Sequence, residues 1–250
     1  MATVKEIVES GINPITLEYS EIKFFENNSK IIRTFLNVNS LELGVLTYRQ
    51  YRYVVRRTKL ADQLMMCHIN KLFELIPFTL IARPEVVSFT FPVYAKLLLD
   101  GELYSVLKDK LSLYPEIPAS KVCIELSADI LYEDLKLASE RINEIRSLGV
   151  KVAIFEIGDE FCPVFRLTEL TFDYAVMDAY SASTLGGADD EKIAGSLIKY
   201  LHHLDVKVIA HGLDTERKIE SAKRVLADGY TSESEEAVNA DIGGDADGQG

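Results

Sequence analysis

At 250 residues and 28.0 kDa, with 48% hydrophobic residues, the chain can build one large barrel or two small domains around a sizeable core. Its 39 acidic residues outweigh 27 basic ones to give a net charge of -12, which repels polyphosphates at long range and excludes nucleic acid as an expected partner. With no run of roughly 18 apolar residues and no basic-then-apolar leader, a cytoplasmic protein without membrane contact is expected. Cys67, Cys123 and Cys162 are odd in number and far apart, and read as reduced packing residues.

In chain order, Ile15–Phe25 alternates apolar and polar residues, Glu26-Asn27-Asn28 supplies a turn, and Ile31–Leu36 follows as a second extended run, which predicts a hairpin. Between Thr47 and Leu75 the spacing of Tyr48, Tyr51, Val54, Val55, Leu60, Leu64, Cys67, His68, Leu72 and Leu75 is helical, with a break near Arg57-Thr58 and Pro77 as the stop. Beyond Pro77, short apolar strands at Val86–Phe91, Lys121–Leu126, Val150–Phe155, Phe172–Met177 and Val206–Ala210 alternate with helices over about residues 94–113, 133–148, 189–204 and 215–227. Such alternation makes a parallel sheet, because each return to the same edge needs a crossover helix. With the hairpin and a last strand near Gly229–Ser232 the strands number about eight, where a (β/α) barrel closes. A doubly wound sheet is the alternative, but no glycine-rich phosphate fingerprint follows any strand. Residues 1–232 are read as one barrel domain, and the acidic, glycine-rich residues 233–250 as a disordered tail.

Four segments, taken in order, carry a family likeness: Lys121–Ile130 (KVCIELSADI), Gly149–Gly158 (GVKVAIFEIG), Phe172–Asp178 (FDYAVMD) and Lys207–Thr215 (KVIAHGLDT). Together they resemble the E-[IL]-T-E-S, G-x-x-x-A-[LI]-D-D-F-G, K-[IL]-D and V-I-A-E-G-V-E-T stretches of the EAL family, bacterial cyclic di-GMP phosphodiesterase domains. The likeness covers about residues 15–230. It implies a TIM-like (β/α)8 barrel with an antiparallel first strand, whose chemistry sits where the strands end.

The family hydrolyses a phosphodiester with two metal ions, which needs oxygen ligands converging on cations roughly 3.5–4 Å apart. Measured against it, the glutamate of the E-A-L motif falls on Thr34, or on Arg33 if the register slips by one, and the motif's phosphate-gripping arginine on Val38 or Asn37. Thr90 replaces an asparagine ligand, Ala128 the second acid of the E-[IL]-T-E-S stretch, and Phe155 and Glu156 the aspartate pair. Val176 stands where the family has the lysine that assists the attacking water, with Asp178 retained two residues on. His211 replaces a glutamate, Asp214 is the acid three residues later, and no glutamine lies between Gln63 and Gln249. Glu125 alone is intact among the ligands, so no metal or other cofactor is expected. A rebuilt site binding manganese, magnesium or zinc through Glu125, Glu156, His211 and Asp214 is the enzyme alternative. The resemblance thus implies a catalytically inactive, EAL-like module that acts through a protein partner or homodimer. A receptor that holds cyclic di-GMP without cleaving it is disfavoured by the missing arginine and the net charge. The basic run Tyr48–Lys59, with Arg49, Arg52 and Arg56 on one helical side, reads as a solvated helix face.

Overall fold

The computed structural model describes residues 14–40, 43–56, 58–159, 162–178, 182, 185, 190–232 and 238–239. In chain order the strands are β1 (Ile15–Phe24), β2 (Lys30–Ser40), β3 (Gly44–Leu46), β4 (Val86–Val93), β5 (Val122–Ser127), β6 (Lys151–Ile157), β7 (Tyr174–Met177), β8 (Lys207–Ala210), β9 (Gly229–Thr231) and the two-residue β10 (Val238–Asn239). The helices are α1 (Tyr48–Val55), α2 (Lys59–Ala82), α3 (Ala95–Leu99), α4 (Glu102–Leu113), α5 (Leu135–Ser147), α6 (Asp190–His202) and α7 (Glu216–Arg224).

Eight strands close into a ring in the order β1-β9-β8-β7-β6-β5-β4-β2, and β2 pairs back onto β1. β1 runs antiparallel to both neighbours, with Tyr19 opposite Thr34 in β2 and Ile22 opposite Thr231 in β9. From β2 through β9 the pairings around the ring are parallel. The chain is therefore a closed barrel of the anticipated kind, entered through a hairpin. Closure brings backbones close: a Cβ on Gly229 would lie 2.6 Å from the Lys23 carbonyl oxygen, so only glycine fits where β9 meets β1.

Side chains alternate between two cores. Inside the barrel, Ile22, Ile31, Cys123, Ala153, Tyr174, Val176 and Ile209 form a plug below the mouth. Outside it, Ile32, Leu36, Phe89, Phe91, Ile124, Ile154 and Val208 pack against the helices. Each such buried aliphatic or aromatic side chain contributes roughly 1.5–3 kcal/mol.

Three expectations about the helices change. α1 and α2 do separate at the anticipated break, but Pro77 does not end α2, which runs on to Ala82. A mid-helix proline removes its own amide donor and its ring crowds the carbonyl four residues back, yet the packing of Ile69, Leu72, Phe73 and Ile76 against the barrel holds the helix through it. The 94–113 helix is two, split at Gly101 with φ 80°, where a residue with a side chain would be strained. Finally, α2 does contain an 18-residue window long and apolar enough to cross a membrane, with mean hydropathy 1.3, although one face of the helix is packed on the barrel. The tail beyond residue 232 lies outside the described residues except for β10, which pairs with β1, and most of the Ser181–Asp190 loop does too.

Candidate functional site

The mouth of the barrel is built where β2, β5, β6, β7 and β8 end, and the first question is which face of β2 it receives. In β2, Ile31 belongs to the inner plug and Ile32 and Leu36 to the outer core, so Arg33 points inward and Thr34 outward. Thr34 accordingly leaves the mouth: its Oγ1 lies 2.9 Å from His68 Nε2 on α2 and donates to the Thr90 carbonyl at 3.2 Å. Of the two candidates for the motif's glutamate position, Arg33 is the one that faces the mouth, with Phe35 on the same side of β2.

Arg33 is buried, and it forms a two-point pair with Glu125. Its Nη2 donates to Oε1 at 2.6 Å and its Nε to Oε2 at 3.0 Å, with the side chains 3% and 4% exposed. The guanidinium carbon also sits 4.7 Å from the centre of the Phe155 ring and 5.1 Å from that of Phe35, so two rings lie within cation–π reach of it. A planar fork meeting a carboxylate in two hydrogen bonds is the strongest geometry such a pair can take.

His211 closes the other side. Its Nδ1 is 2.8 Å from Thr231 Oγ1 and 3.4 Å from Arg33 Nη1, and its ring meets Phe155 edge-on at 5.3 Å. Burial, helped by the Arg33 and Arg49 charges, pushes its pKa down to about 3, so the imidazole is neutral. A neutral ring beside a guanidinium donor and a hydroxyl presents Nδ1 as the acceptor.

Glu156 is on the rim, and its backbone is unusual. Its φ of 67° places a residue with a side chain in the left-handed region, at an irregularity in the β6–β7 pairing; such a conformation costs on the order of 1–3 kcal/mol. What holds it is a double anchor: Ser127 Oγ donates to Oε2 at 2.7 Å, and Arg52 of α1 pairs with Oε1. Arg56 reaches Asp129 at 3.2 Å. The basic helix is thus a solvated face only in part: Arg49 is exposed, but α1 lies against the mouth, held by the Arg52 and Arg56 ion pairs and by Tyr51, whose hydroxyl donates to the Leu36 carbonyl at 2.7 Å. Burial works against the Arg52 charge, and the Glu156 hydrogen bond and charge outweigh it, raising its pKa. For Asp129, burial prevails over Arg56 and raises the carboxyl.

These groups line a cavity of about 810 Å³ that also takes in Tyr48, Arg49, Tyr94 and Asp178. Below it, Val176 is fully buried in the apolar plug, and Thr90 is buried beside β5 opposite Cys123. Asp214 stands apart, outside the cavity lining, and pairs with Lys218 at 2.9 Å at the start of α7. The four residues of the alternative metal set therefore do not converge. Among the described residues no three His, Cys, Asp or Glu side chains are placed to hold one ion. Sequence reasoning did not single out Thr231 and read α1 as a solvated face; of Thr34 and Arg33, the two registers it left open, Arg33 is the one that lines the cavity.

A family model described as EAL domain matches residues 30–231. The fold is similar to the PaMucR phosphodiesterase in its c-di-GMP complex, with a TM-score of 0.80 at 16% identity over 92% of both chains. The FimX EAL domain from Pseudomonas aeruginosa bound to c-di-GMP gives 0.76 at 15% identity, again over 92% of both. Among curated proteins, an uncharacterized protein of Mycobacterium tuberculosis is 26% identical over 113 residues, 45% of this chain and 18% of its own length. An uncharacterized signaling protein of Caulobacter vibrioides is 24% identical over 101 residues, 40% of this chain and 12% of its own. The matched part spans less than a fifth of either relative's length. With a family match over most of its length and a barrel whose first strand runs against the rest, the chain belongs to the EAL domain family.

Proposed function

We propose that this EAL domain is catalytically inactive and serves cyclic di-GMP-type signalling as a module whose output is contact with another protein or a second copy of itself. The observation that carries the reading is the Arg33–Glu125 pair. The family's chemistry needs divalent cations on carboxylates; here the one retained ligand already holds a cation of its own in two hydrogen bonds. An incoming ion would have to break a desolvated pair and leave a guanidinium beside it, and like charges at that distance in a buried site repel strongly. The residues present do not fit two metals. Val176 moreover can neither carry charge nor exchange a proton, and positioned acid–base assistance alone contributes about 10²–10⁴-fold.

A second reading, retention of cyclic di-GMP without cleavage, is favoured by one feature absent from the sequence argument: a cavity of about 810 Å³ in which Arg49 and Arg52 stand beside Tyr48, Tyr94 and Phe155. Rings and guanidinium groups together suit a nucleotide. Chromatography of cyclic di-GMP incubated with the protein and manganese or magnesium separates the cases. No product is expected; product above that of a Glu125→Ala control would overturn the inactive reading. Saturable heat on titrating the dinucleotide without metal, lost in Arg49→Ala, would establish the receptor.

A further inference from the structure

The opposite end of the barrel carries a feature that the mouth does not explain. Strands β6 and β8 both begin with lysine, and Lys151 and Lys207 fall on the inward-facing register of Ala153 and Ile209. The inward rings of Phe24 and Tyr174, 6.2 Å apart, close the floor above them. Lys151 Nζ lies 3.0 Å from the Tyr174 hydroxyl and 5.4 Å from its ring centre, and Lys207 Nζ lies 5.4 Å from the Phe24 ring. Lys223, from the end of α7, lines the same concavity of about 600 Å³.

What sets these lysines apart is that three of them gather in one concavity without a described carboxylate paired to any of them. Among the described residues none of the three is in an ion pair with a carboxylate, although many other cations of this chain are. The nearby acids are engaged elsewhere. Asp173 accepts from the Val152 amide at 2.8 Å and pairs with Arg146. Asp228 accepts from the Val208 amide at 2.7 Å and meets His202 Nε2 at 2.9 Å. Only Glu26 and Asp228 bring carboxylates to the lining, against three ammonium groups, in a chain whose net charge is -12.

We propose that this floor is an anion site for a small phosphorylated molecule. Three ammonium groups from three separate elements act as point charges that can surround a tetrahedral oxyanion, whereas a planar carboxylate is better met by the fork of an arginine, and no arginine lines the floor. The rings are already faced by the lysines, so they hold the cations in place and are not a stacking platform.

Titration calorimetry with sodium pyrophosphate at low ionic strength tests this, with acetate as the comparison. Pyrophosphate is expected to give saturable heat at one site and acetate none. Each lysine removed should weaken binding about tenfold or more, the loss of one charge-assisted hydrogen bond. The double variant Lys151→Met/Lys207→Met reads this out, and Lys207→Met alone, at an exposed position, keeps the test valid if the double variant does not fold. Arg49→Ala, in the mouth, should leave the affinity unchanged. Absence of saturable heat, affinity unaltered in Lys207→Met and in the folded double variant, or loss in Arg49→Ala instead would each overturn the proposal. Phosphatidic acid vesicles present the same group on a surface; competition by them would overturn the assignment to a soluble ligand.

Discussion

The centre and the rim of the mouth use the same chemical pair, arginine with a carboxylate, at three depths. Arg33–Glu125 is almost wholly enclosed, Arg52–Glu156 is 18% and 19% exposed, and Arg56–Asp129 is 39% and 46% exposed. Depth decides what each pair does. In the enclosed pair neither partner can turn to water, so each is obligatory for the other. At half depth the pair fixes the position of a helix. Near the surface water and salt compete, and such a pair contributes little.

Breaking the enclosed pair should have the largest effect. Glu125→Ala leaves a buried guanidinium uncompensated and is expected to lower unfolding free energy by about 3–5 kcal/mol, read by urea denaturation. Arg33→Met/Glu125→Leu should recover most of that loss, because it removes both charges; a double variant as unstable as the single one would show that packing and not charge is responsible.

Acid probes the same region through its histidines. Burial holds the pKa values of His68 and His211 down to about 3, with Arg33 and Arg49 adding to the effect at His211. The unfolded chain takes up these protons near pH 6.5, which the native state refuses until about 3. Stability is therefore full above about 6.5 and falls as pH drops through that window, by up to about 1.4 kcal/mol per pH unit for each histidine. His68→Asn should flatten the dependence of the melting temperature between pH 6 and 4 by about half that combined slope; an unchanged slope would refute the neutral-histidine assignment.

The half-buried pair comes next. Arg52→Ala is expected to cost about 1–2 kcal/mol and to raise protease sensitivity around α1, since Glu156 keeps only Ser127 and a long 3.5 Å hydrogen bond from the Tyr53 hydroxyl. The smallest effect belongs to Arg56→Ala, at most about 1 kcal/mol and erased by high salt. If Arg52→Ala were as salt-sensitive and as mild as Arg56→Ala, the ranking by depth would fail.

The alternation of strand and helix was legible because each buried parallel strand is a short apolar run, and the eight-strand count and the reversed first strand followed from it and from the likeness to the EAL family. The face of β2 was not. Its run Ile31-Ile32-Arg33-Thr34-Phe35-Leu36 is buried on both sides, one against the barrel interior and one against α2, so no polar alternation marks which residue enters the mouth. A contact 92 residues away, with Glu125, decides it. The role of Arg52 was hidden for a related reason: a helix with arginines at one spacing looks the same whether that side meets water or a carboxylate brought over by the closing of the barrel. Glu125, Glu156 and His211 were each located at strand ends, whereas Asp214 pairs with Lys218 four residues on, a local partner that the search for metal ligands passed over.

On the proposed reading, the Arg33 guanidinium has a consequence for how such a domain could be controlled. A captured ion can be stripped by a chelator, exchanged for a competitor, or allowed to report on the cell's metal supply. A cation written into the chain is present in every copy, at fixed stoichiometry, from the moment the barrel closes, and only mutation can take it away.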